Sequence, residues 1–280
     1  MGVHSAGGPT VGSVNDGQVE LLADDDRPGG WLLLLDRVRQ SYVALDDPSY
    51  LEFPYVQALA EAVVAMPEGP LEAIHIGGGG ATLPRWLAQV RPGSAQVVFE
   101  PHPELLRVVQ SRLPVPPDSG IEFRPADGRR GLGAHPADSA DVVVIDAFSG
   151  GRVPAELSTA EFFADVARVL RSTGLLLINT TAAAQSMYLR RIVAAVATQF
   201  AEIVVSGQTT GDVGNLVIVA GRAGHLPIEL VLAEDGPLGP SLALSGPALG
   251  DFVGDVEPLT DASPMRSPIP PDATWRVGGD

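Results

Sequence analysis

The sequence predicts an α/β protein: a mainly parallel sheet with helices on both faces, preceded by a small β element. Three observations carry that reading. From residue 72 onward, strand-length apolar runs alternate with segments at helical spacing. Asp141–Asp146 (DVVVID) has the continuous apolar run of a strand covered on both faces. The first strand of the series, Ala73–Ile76, runs straight into four glycines, Gly77–Gly80.

Residues 1–30 are rich in Gly and Asp, and no order is expected at their start. Gln18–Leu22 reads as a short strand. Trp31–Asp36 and Val38–Val43 read as two strands joined by a tight turn. Pro54 suits a first helical turn, and Tyr55, Leu59, Ala62, Val63 and Met66 follow at helical spacing. The alternating part then runs strand Ala73–Ile76, helix Leu83–Val90, strand Gln96–Glu100, helix Pro103–Leu113 and strand Ile121–Arg124. Strand Asp141–Asp146, helix Thr159–Leu170, strand Leu175–Asn179 and helix Ala183–Phe200 continue it. Ile203–Ser206 and Asn215–Ala220 read as a closing antiparallel pair. From Gly236 the chain is rich in Pro, Gly and Asp, and little regular structure beyond one short helix is expected. The domain reading is a tail and β element over 1–50, a ligand-binding domain over 51–225 and a Pro/Gly-rich tail over 226–280.

Composition narrows the function. The 280 residues include no cysteine, which excludes disulfides, thiol catalysis and Cys-ligated metals. All 18 basic residues are Arg, so neither a P-loop lysine nor a Schiff-base lysine exists. The net charge of −16 opposes binding to a phosphate backbone, so no nucleic-acid partner is expected. No run of about 18 apolar residues marks a membrane span, and no signal peptide is read, so a cytoplasmic location is expected. The five His residues lack metal-ligand spacing, and no metal is expected.

Ligands of open α/β sheets sit at the carboxyl ends of the strands. Four such ends carry distinctive residues here. Gly77, Gly78 and Gly79 let the backbone approach a ligand closely, although any tight strand-to-helix turn uses glycine, and the spaced pattern of a dinucleotide site is absent. Glu100 lies 23 residues after Gly77, a separation at which a carboxylate can accept from both ribose hydroxyls. Asp127 and Gly128 follow the third strand; the carboxylate can accept from an adenine amino group, and the glycine leaves room for the ring. Asp-Gly is also a common turn pair. Asp146 ends a very apolar strand, where an idle carboxylate would be costly to desolvate. It is the candidate proton acceptor, and the Gly-rich stretch behind it, Phe148–Gly151, is a candidate gate.

The order and spacing of these pieces resemble spermidine synthase and the polyamine aminopropyltransferases, over about Trp31 to Ala220. LLLLDRVRQ is similar to that family's strand-turn-strand, with Gln40 at its ligand-contacting Gln. FPYVQAL places Tyr55 at the family's Tyr, which the resemblance makes a co-substrate-binding residue, and HIGGGGATLPR has Arg85 in register. VVFEPHPEL matches the ribose-binding Glu at Glu100, and PADGRRGL the adenine-side Asp at Asp127. VVVIDAFSGGRVPAELSTAEFF matches the catalytic Asp at Asp146 and the gate as far as Pro154. The resemblance implies a Rossmann-like sheet of the adenosylmethionine-dependent methyltransferase type. It also implies decarboxylated S-adenosylmethionine, or S-adenosylmethionine, as co-substrate, and a place in polyamine biosynthesis.

Three amine-gripping positions depart from the pattern. Gly80 stands where the family has an Asp, Val56-Gln57 where it has His-Glu, and Ser149 where its gate has a second Asp. The nucleoside half is intact and the amine half is eroded. Three functions fit: an aminopropyltransferase acting on a small-molecule amine or other acceptor, a methyltransferase on the same scaffold, and a non-catalytic nucleoside-binding relic. The sequence also leaves room for a homodimer.

Overall fold

The computed structural model describes residues 10–14, 17–207, 213–222, 224, 226, 237–238 and 242–271. It contains two sheets. The first is an antiparallel meander of β1 (Thr10–Val14), β2 (Gly17–Ala23), β3 (Gly30–Leu35) and β4 (Val38–Ala44). Asp36 and Arg37, both at positive φ, make the β3–β4 turn. Strand β1 was not read from the sequence; the expected absence of order at the start of the chain otherwise concerns residues outside those described.

The second sheet has eight strands in the order β12-β10-β11-β9-β8-β5-β6-β7. Its parallel part is β5 (Glu72–Ile76), β6 (Ala95–Phe99), β7 (Ile121–Arg124), β8 (Ala140–Ile145) and β9 (Leu170–Ala182). Strands β10 (Glu202–Gly207) and β11 (Gly214–Gly221) form an antiparallel pair, and β11 docks antiparallel on β9. The Rossmann-like arrangement follows from the alternation in sequence, because each parallel pair needs a crossover helix.

Strand β8 shows why its run is apolar throughout. Val143 and Ile145 face a core with α5 (Ala160–Val169) and α6 (Met187–Ala197). Val142 and Val144 face the opposite core with α1 (Pro54–Val64) and α2 (Thr82–Val90). A third cluster joins the meander to a helix of the larger sheet's layer. Val19, Leu21, Leu33 and Val43 of the meander pack on Leu105 and Val109 of α3 (Pro103–Arg112). The meander is thereby fixed beside the carboxyl ends of the large sheet, where β4 reaches the glycine turn.

Several boundaries differ from the sequence expectation. Helix α6 starts at Met187 because Ser186 caps it, its Oγ accepting from Leu189 N at 3.2 Å. A short helix α4 (Gly128–Gly133) was not anticipated, since Gly and Arg carry no helical period. The region after Gly236 holds strand β12 (Leu242–Ser245) as well as α7 (Gly246–Val253), and β12 pairs with β10. The segment beyond α7 folds back onto the sheet, burying Leu259 and Ser267. Residues 227–236, 239–241 and 272–280 of the expected tail lie outside the described residues. Among the described residues no helix is long and apolar enough to cross a membrane.

Candidate functional site

All nine candidate residues line one cavity of about 630 Å³ at the carboxyl edge of the parallel strands: Gln40, Tyr55, Gly77, Gly78, Gly79, Glu100, Asp127, Gly128 and Asp146. The sheet order lays them out in space. Asp146 follows β8 near the middle of the edge. Glu100 and Asp127 lie on the β6 and β7 side, and β9 and β11 continue on the other side.

The glycine turn shapes the floor. Gly77 has φ 101°, and a Cβ there would stand 2.1 Å from Asp146 O. Only glycine permits both the conformation and the contact. The backbone between the two strand ends is closed by Asp146 N donating to Ile76 O at 2.9 Å. Gly78 N donates to Glu100 Oε2 at 2.9 Å, so the turn and the second strand end hold each other.

Glu100 is buried at 6% exposure. Its other oxygen, Oε1, meets His102 N at 3.1 Å and His102 Nδ1 at 2.7 Å. The bond to Glu100 is the main cause raising the His102 pKa above its ordinary value. The carboxylate is therefore held before any ligand arrives, with three of its about four acceptor sites engaged and the free one on Oε2. Asp127 is exposed and caps α4, its Oδ1 accepting from Arg130 N at 2.9 Å. Gln40 is half-buried, its Nε2 3.5 Å from Val38 O.

Asp146 has a partner on each carboxylate oxygen. Asn179 Nδ2 donates to its Oδ1 at 2.8 Å, and the Tyr55 hydroxyl stands 3.4 Å from its Oδ2. Burial pushes its pKa up, and the bonds from Asn179 and Tyr55 only partly offset this. Tyr55 is held well above its ordinary value, first by burial and then by the Asp146 charge. Such a carboxylate is poised to accept a proton. Asn179 was not singled out from the sequence. Its signal is the one that marked Asp146, a polar residue interrupting a long apolar strand. Its own Oδ1 is buried without a partner.

The three departing positions are explained by packing. A Cβ on Gly80 would meet Val43 Cγ2 at 2.7 Å and Ser41 Cβ at 3.0 Å, so β4 occupies the space an acidic side chain would need. Ser41 Oγ accepts from Gly80 N at 2.9 Å. Val56 is buried in the α1 core, and Gln57 donates to Leu51 O at 2.5 Å. Ser149 pairs with Arg152 across a turn made by Gly150 and Gly151, both at positive φ. Arg85 serves the scaffold: its buried guanidinium donates to Gly80 O at 2.9 Å, to Pro114 O at 3.0 Å and to Leu113 O. Burial lowers its pKa to about 10.

The segment behind the turn is tied to the segment that follows α7. Val153 N donates to Ser267 Oγ at 2.8 Å, and Arg152 Nη1 to Ser267 O at 2.7 Å. Thr181, near the end of β9, donates to Pro268 O at 2.7 Å and pairs with Ser267 Oγ at 3.0 Å. Pro270 thereby becomes part of the cavity wall. Among the described residues no group of three or more His, Asp or Glu is placed to hold a metal ion.

No protein-family model matches the chain. It is similar to the polyamine aminopropyltransferase of Chromobacterium violaceum, 27% identical over 141 residues, covering 50% of this chain and 53% of that one. The chain thus spans about half the length of the curated relatives it matches. A probable spermidine synthase from Corynebacterium glutamicum superposes with a TM-score of 0.80 at 23% identity, over 90% of this chain and 96% of that one. Spermidine synthase from Thermotoga maritima gives 0.58 at 18% identity, over 79% and 74%. At these identities the structures share the fold, a Rossmann-like α/β sheet with flanking helices.

Proposed function

We propose that the protein is a transferase of the aminopropyltransferase type, which binds decarboxylated S-adenosylmethionine and transfers its aminopropyl group to an amine. The observation that carries this reading is the position of Asp146. A half-buried carboxylate of raised pKa stands near the middle of the cavity's edge, with Glu100 and Asp127 to one side and residues of β9 and β11 to the other. The similarity to curated aminopropyltransferases supports it.

In this reading Glu100 accepts from the ribose hydroxyls, Asp127 from the adenine amino group, and the Gly77–Gly79 backbone lies along the nucleoside. The acceptor amine sits against Asp146 and Tyr55. Its nitrogen lone pair attacks the aminopropyl carbon bound to the sulfonium. The new C–N bond forms as the C–S bond breaks, and that electron pair goes to sulfur, leaving neutral methylthioadenosine. Asp146 takes the proton lost by nitrogen. The sulfonium is already a good leaving group, so catalysis is mainly alignment plus proton removal, and the step as written needs no metal.

Calorimetric titration with decarboxylated S-adenosylmethionine, S-adenosylmethionine and methylthioadenosine tests the donor. The reading expects the decarboxylated form to bind at least as tightly as the carboxylated one. A clear preference for S-adenosylmethionine would move the function to methyl transfer. One observation favours that second reading: with β4 closing the place beside Gly80, no acid stands there to repel the carboxylate that S-adenosylmethionine carries and the decarboxylated donor lacks.

A further inference from the structure

We infer that the His102 ring competes with the ribose for Glu100, so that nucleoside binding displaces the ring from Oε1; this rests on the nucleoside-binding reading above. An ionised carboxylate offers about four acceptor sites. Gly78 N takes one on Glu100 Oε2, and His102 N and His102 Nδ1 take two on Oε1. A ribose diol brings two donors to the one site left. For both hydroxyls to bond Glu100, one of the protein donors must give way.

Two of the three donors are backbone groups held in place. Gly78 N belongs to the turn packed between two strand ends, where a Cβ on Gly77 would stand 2.1 Å from Asp146 O and one on Gly78 2.8 Å from Glu100 Cβ. His102 N is held by its neighbours in sequence. Pro101 and Pro103 flank it, and a residue before proline is confined to extended backbone; His102 has φ −101° and ψ 95°. The ring is the movable donor. Its side chain is 29% exposed, against 7% for Glu100, and it makes no cap bond to α3. Glu100 at the end of β6 and Glu104 on α3 are the charges that act on it. Arg39 of β4 and Asp127 line the same cavity, and the meander meets α3 itself through apolar residues. Glu104 Oε2 is buried without a partner, so a ring released from Glu100 keeps a second counter-charge. The imidazolium holds Glu100 more strongly than the neutral ring does, so a proton on His102 favours the free protein. Nucleoside binding therefore expels protons from His102. By the same linkage, affinity rises with pH across the range above 6.5 in which His102 titrates.

Methylthioadenosine and its 2′-deoxy and 3′-deoxy forms are titrated by calorimetry into the wild type and His102→Ala, near pH 6.5 and at higher pH. His102→Ala is expected to bind methylthioadenosine about tenfold more tightly at the lower pH, and the gap narrows as pH rises. One of the two deoxy forms should lose more affinity in His102→Ala than in the wild type, where the ring retakes the vacated site. Proton NMR of the wild type should show the His102 pKa falling when methylthioadenosine is bound. Unchanged or weaker binding by His102→Ala overturns the inference, as do equal deoxy losses in the two proteins or an unmoved His102 pKa. Binding that is indifferent to His102 leaves the nucleoside reading in place. No nucleoside binding by either protein overturns that reading and the inference together.

Discussion

Asn179 donates its side-chain amide to Asp146 Oδ1 at 2.8 Å, from the end of one parallel strand to the end of its neighbour. This bond fixes the rotamer of the acid and stabilises its charged form against a desolvating environment. Asn179 acts through Asp146 and is a positioning residue. In Asn179→Ala the Asp146 pKa rises further. The acid limb of the pH–rate profile moves to higher pH, and kcat falls more than KM changes. A purely structural role would lower stability and leave the pH profile in place. Carbon NMR of the Asp146 carboxyl checks the shift without turnover.

Glu100→Gln keeps the shape but removes the charge. Bonds to a charged acceptor contribute about 1.5–3 kcal/mol. Methylthioadenosine affinity should therefore fall about tenfold or more, measured by calorimetry on a variant whose circular dichroism is unchanged. An unaltered Kd would mean that Glu100 serves only Gly78 and His102.

Ser267, in the segment beyond α7, joins that segment to β9 and to the residues behind the Gly150–Gly151 turn. Ser267→Ala leaves Val153 N buried without an acceptor, a loss of about 1–3 kcal/mol. The expected outcome is a lower Tm together with increased proteolysis at Ser149–Pro154. Unchanged protection of that segment would show that Ser267 does not hold it.

His75 is 3% exposed, bonded to Gln96 Oε1 at 3.0 Å, and burial lowers its pKa to about 4. The unfolded chain binds this proton at the ordinary value of 6.5, so between these pH values the unfolded state holds more protons. His75 thus costs no stability above pH 6.5, and stability falls as pH drops from there toward 4. At about 1.36 kcal/mol per pH unit the loss approaches ~3 kcal/mol. Urea unfolding across that window should show the slope, and His75→Gln should flatten it.

The parallel core was legible because its physics is local. DVVVID has no polar side and could only be covered twice; glycine after Ile76 marks the place where the backbone of Asp146 passes too close for a Cβ. Helix α4 was not legible, because its start depends on Asp127 acting as a cap rather than on any apolar period. Strand β12 was hidden for a similar reason: LALS is four residues long and gains its pairing only from β10. In the site, the acids could be placed at strand ends, but not their partners. Nothing in the spacing says that Asn179 reaches Asp146, that His102 folds back on Glu100, or that Ser41 fills the space beside Gly80.

The central claim is that Asp146 is the proton acceptor of a transfer reaction. Asn at position 146 keeps the shape and loses the basicity, and general bases contribute about 10²–10⁴-fold. The direct measurement is the rate of methylthioadenosine release from decarboxylated S-adenosylmethionine and the best acceptor of a panel of mono-, di- and polyamines, for the wild type and Asp146→Asn, alongside the nucleoside Kd of each. The account predicts a fall in kcat within that range with the Kd preserved. Wild-type turnover in Asp146→Asn would contradict it.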